Sequence, residues 1–492
     1  MPACPRSLTT VGCWPGGASR TTRQSSIDGS ETLAFSIGFR NCPESDPTPL
    51  QVEGRLPDWL TGTLLRNGPG RFDLARQSYR HWFDGLAQLH RFELAAGQVT
   101  YSSRYLHSQD YLQSQVDGKI AYPAFASDPC WTLFRRLKAL FWPDVTKNPN
   151  VNLGRLDGRW LALTELPMPI EFDPETLATV GVFNFADPGA DGLTTAHPHQ
   201  DRGRWLNFGL RFGRRTAYHF YHFDGSARRQ PVAAVPQSPV SYVHSFGLTP
   251  RHLVLALFPF VVHPLRLLMR CRPFIENFRW RPERGTTFCL IDRATGEVRR
   301  VEGPPIFAFH HVNAYEDRDE VVVDLVGYPD ATLIDTLYLD SLRREAPVPA
   351  GRLYRYRLPP RGQARLEWCS EETIELPRLD YARCNGRPYR YTYGVSLRPD
   401  QPDLFNQLVR LDVENRTSRI WLEDGCYPGE PVFVARPGGQ GENDGVVLSV
   451  ILDTNRQQSF LLVLDAASFA ELARARVPEA IPFGFHGDFL SF

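Results

Sequence analysis

The constraint that acts hardest on this chain is its punctuation. Apolar runs of strand length, among them "RHLVLALFPFVV", "RDEVVVDLVGYPD", "NDGVVLSVILDT" and "SFLLVLDAASFAEL", alternate with Gly, Pro, Asp and Asn along nearly the whole sequence. The 41 prolines and 38 glycines are spread rather than clustered. Runs rich in Val, Leu, Tyr and Phe between such breakers read as many short β-strands joined by turns. Several share one grammar, a strand, an Asp-led turn and a second strand: "EFDPETLATVGVF", "LIDRATGEVRRV" and "RLDVENRTSRIWL". Each predicts a hairpin, and their recurrence points to an all-β fold built by radial repetition, a propeller.

Composition narrows the function classes. Lys and Arg together equal Asp and Glu at 55 each, so no bulk charge favours nucleic acid as a partner. The nine cysteines are scattered, odd in number and form no C-x-x-C pair, which argues against a disulfide framework or zinc ribbon and for a reducing, cytoplasmic setting. No apolar run is long enough to span a bilayer. The first 30 or so residues carry no acidic residue before Asp28 and no apolar core. Residues 1–50 are expected to be a disordered or loosely packed tail, and 51–492 a single domain. Two segments break the strand pattern with apolar and basic residues at close spacing: "DPCWTLFRRLKALFWPD" (128–144) and "LFPFVVHPLRLLMRCRPF" (257–274). Each reads either as structure packed on the domain or as an interfacial patch for a membrane surface.

Of the thirteen histidines, four lie among dense turn and strand signals: His197 in "TTAHPHQD", His244 in "SYVHSFGLTP", His310 in "AFHHVNAYED" and His486 in "IPFGFHGDF". They are too far apart for any local element to gather them, but a propeller brings one residue per blade to a shared axis. A structural role for each remains the simpler reading from spacing alone. Glu165 in "LALTELPMP", Glu375 in "TIELPRLDY" and Glu430 in "YPGEPVFVARP" sit in apolar surroundings. A buried carboxylate is costly unless paired, so each is either an exposed strand residue or a partner for a buried group. A ligating histidine needs such a partner on its second ring nitrogen. In the pair His310–His311, strand alternation lets only one side chain face the axis.

With these residues in place the chain resembles the carotenoid cleavage oxygenase family, in the branch that holds animal β-carotene oxygenases and the retinoid isomerase of the retinal pigment epithelium. The resemblance runs from about Leu56 to Phe492. Ordered motifs carry it: "GTLLRNGPGRF", "HWFDGLAQLHRFEL", "KNPNVN", "LTEL", "DPETL", "TAHPH", "SYVHSFGLTP", "FHHVNAYED", "ELPRLDY", "GRPYRYTYG", "GEPVFVARP", "DGVVLSVILD" and "FGFHG". It implies a seven-bladed β-propeller with a helical and loop cap over the axis. It implies one Fe(II) per chain on His197, His244, His310 and His486, with Glu165, Glu375 and Glu430 bonded to His244, His310 and His486. The family pattern F-H-x-x-N puts the ligand at His310 and leaves His311 to the blade packing. The implied reaction is dioxygen-dependent cleavage of one C=C bond of a carotenoid or apocarotenoid to aldehydes, with central cleavage to retinal as the branch's suggestion.

The same resemblance leaves two other enzymes in view, a retinoid isomerase and a stilbene or phenylpropanoid cleaver. The latter would use a lysine such as Lys147. A non-catalytic propeller scaffold is the alternative from a different class. The implied partners are a hydrophobic polyene and a membrane surface met through 128–144 and 257–274, with peripheral attachment, no nucleic acid and no obligate protein partner. Cys130 matches a position that is acylated in relatives.

Overall fold

Asp-led turns build the outer hairpins. Asp173 Oδ1 accepts the backbone N–H groups of Glu175 and Thr176 at 3.0 and 2.8 Å and the Thr176 hydroxyl at 2.9 Å. Asp292 repeats this on Ala294 and Thr295, and Asp465 on Ser468. Asp412 caps Asn415 in the same way. A short carboxylate side chain that captures N–H groups two and three residues on fixes a tight turn. The residue four after each aspartate, Leu177, Gly296, Arg416 or Phe469, then stands at positive φ.

In the computed structural model the described residues are 33–491, apart from 129–146, 187–191, 224–226, 270–271, 345–346 and the single positions 202, 214 and 402. Their strands form seven antiparallel blades around one axis. Blade 1 takes Gly62–Arg71, Leu86–Ala95 and Gln98–Tyr105, closed on its inner edge by Gly487–Ser491 from the end of the chain. Blade 2 spans Asn152–Leu156 to Thr179–Val182, and blade 3 Leu193–Thr194 to Gln230–Pro236. Blade 4 spans Gly247–Leu248 to Val298–Gly303, and blade 5 Phe307–Asp317 to Arg365–Thr373. Blade 6 spans Glu375–Arg378 to Thr417–Trp421, and blade 7 Val432–Ala435 to Glu471–Val477.

Ring closure is doubly made. Besides the C-terminal strand on blade 1, the strand Ser45–Gly54 pairs with Gln98–Tyr105 on one side and Glu471–Val477 on the other, merging blades 1 and 7 into one ten-stranded sheet. The ordered body therefore begins well before position 51. Phe35 and Phe39 are fully buried, and Phe39 packs on Phe35, Phe72, Trp82 and Phe483 with ring centroids 5.2–6.4 Å apart. Averaged composition over the first 50 residues hides these two rings, which is why the whole stretch read as a tail.

Links between blades carry the cap. Short helices at Thr332–Thr336 and Leu339–Arg344 and the small sheet of Val240–Ser241, Phe260–Val262 and Arg279–Trp280 belong to it, with the 3₁₀ turn Trp82–Asp84. Of the apolar segment 257–274, Phe260, Val261 and Val262 are buried in that sheet, whereas Leu265 is 61% exposed. Segment 128–144, with Cys130, lies outside the described residues beyond Asp128. No helix among the described residues is long and apolar enough to cross a membrane.

Because Phe39 fills a site where four other rings meet, Phe39→Ala should cost about 3–5 kcal/mol and lower the melting temperature measurably. An unchanged melting temperature would mean that the N-terminal turn does not contribute to ring closure.

Candidate metal centre

Each blade contributes one residue to a cluster on the axis. His197 lies between the two inner-edge segments of blade 3, Leu193–Thr194 and His199–Asp201, and its N–H donates to Thr195 Oγ at 3.0 Å. The Thr195 hydroxyl in turn donates to the His244 carbonyl, so one side chain ties the backbones of two of the histidines together. His244 precedes the inner strand of blade 4, His310 lies in that of blade 5, and His486 precedes the closing strand of blade 1. Glu165 follows the second strand of blade 2, Arg159–Leu163, Glu375 opens blade 6, and Glu430 precedes Val432–Ala435 of blade 7.

The four imidazoles converge. One nitrogen from each of His197, His244, His310 and His486 lies within 4.8 Å of the others. The Nε2 atoms of His197 and His244 are 2.9 Å apart, and those of His310 and His486 3.3 Å. The opposite ring nitrogens are taken by carboxylates: Glu165 Oε1 is 2.6 Å from His244 Nδ1, Glu375 Oε2 2.7 Å from His310 Nδ1, and Glu430 Oε1 2.7 Å from His486 Nδ1. Among the described residues His197 has no carboxylate partner.

Protonation follows from these bonds. Burial would raise Glu375, but the His310 imidazole, the Leu376 N–H and the Tyr328 hydroxyl hold it below the usual carboxylate range. Burial likewise opposes ionisation of Glu430, yet Arg378, His486 and Arg66 bring it down to about 2. An ionised carboxylate only accepts, so Nδ1 of His310 and of His486 carries the proton and Nε2 keeps its lone pair. Two lone pairs then face each other at 3.3 Å with no proton between them. Burial lowers His486 to about 4, so this ring stays neutral at neutral pH, and burial with the neighbouring imidazoles lowers His197 well below its ordinary value. A soft-to-borderline cation suits such a donor set, and neutral imidazoles fit a divalent transition metal.

Sequence reasoning missed the groups behind the glutamates. Tyr242 donates to Glu165 at 2.8 Å and Tyr328 to Glu375 at 3.0 Å. Arg66 donates to Glu430 Oε2 at 2.8 Å, and Arg378 Nη1 lies 3.6 Å from Glu430 Oε1. The available signal was Arg66 itself: a charged residue inside the continuous run "LLRNGPG" needs a buried partner.

His311 takes the other direction from His310. Two irregularities in the pairing of Phe307–Asp317 with Glu320–Tyr328 bracket the pair, a bulge that re-aims side chains beside the site. Ser245 gives its one hydroxyl proton to the Phe309 carbonyl at 2.7 Å, so His311 Nδ1, 2.9 Å away, is the donor to Ser245 Oγ. His311 Nε2 is buried and has no hydrogen-bond partner among the described residues. His199 is also turned elsewhere, bonded to Tyr381 Oη and the Phe246 carbonyl, both at 2.8 Å.

Aromatic rings wall the centre. Phe309 lies 5.4 Å from His244, and Phe83 lies 5.7 Å from Phe309 and 5.2 Å from both Phe485 and Phe125. Residues of the motifs "HWFDG" and "NPN" hold Phe83 and the backbone that follows it. His81 Nδ1 accepts the Phe83 N–H at 3.1 Å, and Asn150 donates to the Phe83 carbonyl at 2.9 Å. Asn148 donates to the Gly85 carbonyl at 2.8 Å and accepts from the Ala87 N–H at 2.8 Å.

This histidine cluster on a seven-bladed frame has close relatives. The family model of the retinal pigment epithelial membrane protein matches residues 39–491. The chain belongs to that family, the carotenoid cleavage oxygenases. It is 33% identical to the mitochondrial carotenoid-cleaving dioxygenase of Macaca fascicularis, over 89% of this chain and 91% of the relative. It is 32% identical to the β,β-carotene 15,15'-dioxygenase of Mus musculus, over 92% and 91%. A variant of the Synechocystis apocarotenoid oxygenase superposes with a TM-score of 0.84 at 25% identity, covering 93% of this chain and 98% of that one. The cobalt-substituted Synechocystis enzyme superposes with a TM-score of 0.83 at 26% identity over the same shares.

Burial holds three further histidines of this oxygenase, His81, His90 and His311, at about 3, against an ordinary 6.5. The unfolded chain takes up protons as pH falls through 6.5, while the folded chain refuses them until about 3. Their stability contribution is therefore complete above pH 6.5 and is lost as pH falls toward 3. Calorimetric unfolding near pH 5, run in buffers of different ionisation enthalpy, should show net proton uptake. Net release would contradict these assignments.

Proposed function

We propose that this chain is a carotenoid or apocarotenoid cleavage dioxygenase that holds one Fe(II) on His197, His244, His310 and His486. The observation that carries the reading is the convergence of four imidazole nitrogens within 4.8 Å, three of the rings held from behind by a carboxylate on Nδ1. When bound, ferrous iron supplies open coordination positions for activating dioxygen toward a polyene. In the balanced reaction one C=C bond breaks, each carbon gains one oxygen atom, and two carbonyl compounds leave without an external reductant.

The protein's own side chains do the rest. Glu165, Glu375 and Glu430 keep the imidazoles in the tautomer that offers Nε2, and Tyr242 and Tyr328 keep two of those carboxylates in place. Phe83, Phe309 and Phe485 exclude water and present ring faces that stabilise positive charge developing along the polyene. Their apolar wall continues through Phe125 to Phe274, toward the segment that bears exposed Leu265. Leu112 and Val116, one helical turn apart on Gln109–Asp117, are 53% and 81% exposed. These residues support peripheral attachment to a membrane surface from which the substrate enters. A stilbene-cleaving role draws no support from Lys147, whose exposed ammonium donates to Gln109 at 2.8 Å.

Iron-loaded protein given β-carotene or an apocarotenal should consume one O₂ per polyene and release two aldehydes. Cis-retinol from a retinyl ester without oxygen uptake would replace this reading with the isomerase, and no turnover with no bound iron would leave a scaffold. His310→Ala should lose the metal, and activity should fall by more than about 100-fold, since losing a ligand exceeds the roughly 10–100-fold cost of losing an outer partner. His311→Ala should keep the metal. Equal metal loss in both variants would overturn the ligand assignment.

A further inference from the structure

The three glutamates stand in different electrical surroundings. Glu165 and Glu375 take additional hydrogen bonds from the neutral hydroxyls of Tyr242 and Tyr328. Among the described residues neither pairs with an arginine or lysine. Glu430 lies between two guanidinium groups. Arg66 donates to its Oε2 at 2.8 Å, and Arg378 Nη1 stands 3.6 Å from Oε1, the same oxygen that receives His486 Nδ1. The Glu430 side chain is fully buried, so solvent does not screen these charges.

A carboxylate that pulls on Nδ1–H pushes electron density to Nε2 and makes the imidazole a stronger donor. Density shared with two cations is withdrawn from that pull. His486 is therefore supported less strongly than His244 or His310. The two arginines differ in what else they do. Arg66 is buried and also donates to the carbonyls of Glu430 and Phe485 at 3.2 and 3.1 Å, so it holds chain segments of blades 1 and 7 together. Arg378 ends the inner strand Glu375–Arg378 of blade 6, its side chain is 28% exposed, and its other ion pair is to exposed Asp488 at 3.9 Å. Arg378 is thus free to act as an electrostatic setting rather than as a clamp.

We propose that Arg378 is a positioning residue that acts on the metal through Glu430 and His486, keeping His486 the weakest of the three carboxylate-supported donors. This rests on the reading of the four histidines as metal ligands. It concerns a fixed charge and not a titration.

Co(II) is the probe, with its dissociation constant from chelator competition and its visible ligand-field bands as the two readouts. Arg378→Gln and Arg378→Met should each bind Co(II) about 3–10-fold tighter than wild type, with shifted bands, while Arg378→Lys stays within about twofold. In a Glu430→Gln background Arg378→Gln should change affinity by less than about twofold, because the route through the carboxylate is gone. The same tightening in that background would mean that the charge acts on the metal directly, and would overturn the proposal. So would wild-type binding of Co(II) with no effect of Arg378→Gln, which leaves the four-histidine reading standing. Failure of folded wild type to bind Co(II) at all would remove both.

Discussion

The structure depends on three carboxylate–imidazole hydrogen bonds of 2.6–2.7 Å. They set which nitrogen of His244, His310 and His486 carries the proton, and so point three lone pairs toward the axis. Without them each imidazole could rotate or change tautomer, and the cluster would satisfy itself with N–H···N bonds. Burying carboxylates in a propeller core carries a large desolvation penalty. Tyr242, Tyr328, Arg66 and the backbone N–H groups of Leu376 and Gly487 offset it.

The propeller suits this arrangement because its inner segments run side by side around one axis. Seven residues from seven blades meet there, although His310 and His486 alone are 176 positions apart in the chain. Closure matters for the same reason. His486 is followed at once by the strand Gly487–Ser491, which pairs with Gly62–Arg66, and Asn67 donates its N–H to the His486 carbonyl at 2.9 Å. The last histidine is therefore in place only when the ring is shut, which couples the order of the site to completion of the fold.

What the sequence makes legible follows from the range of the interaction. The outer hairpins were readable because Asp173, Asp292 and Asp412 act on N–H groups within three residues. The left-handed positions at Leu177, Arg416 and Phe469 were not, since no residue type there favours positive φ and the turn imposes it. The seven axial residues could be picked out singly as unusual, but spacing could not join them, and only the ordered family motifs did. Arg378 and the tyrosines lay beyond that, because each acts through a residue that itself acts on a histidine. Phe35 and Phe39 were lost in the averaged composition of a polar stretch.

The residues on either side of the axial positions also differ along the chain. Immediately before His310 and His486 come Phe309 and Phe485, and two residues before His244 comes Tyr242. After His197, Glu375 and His486 come His199, Arg378 and Asp488. Rings thus precede three of the histidines in sequence and charged groups follow Glu375 and His486, although Phe246 follows His244 by two positions and packs on His199 at 4.7 Å. Phe83, held by His81 and Asn150, adds to these rings. An apolar polyene can displace little but water and ring contacts there, whereas beside Arg378 and Asp488 it would have to strip both of solvent without replacing their bonds. For the proposed polyene substrate, approach past Phe83, Phe309 and Phe485 avoids that desolvation cost.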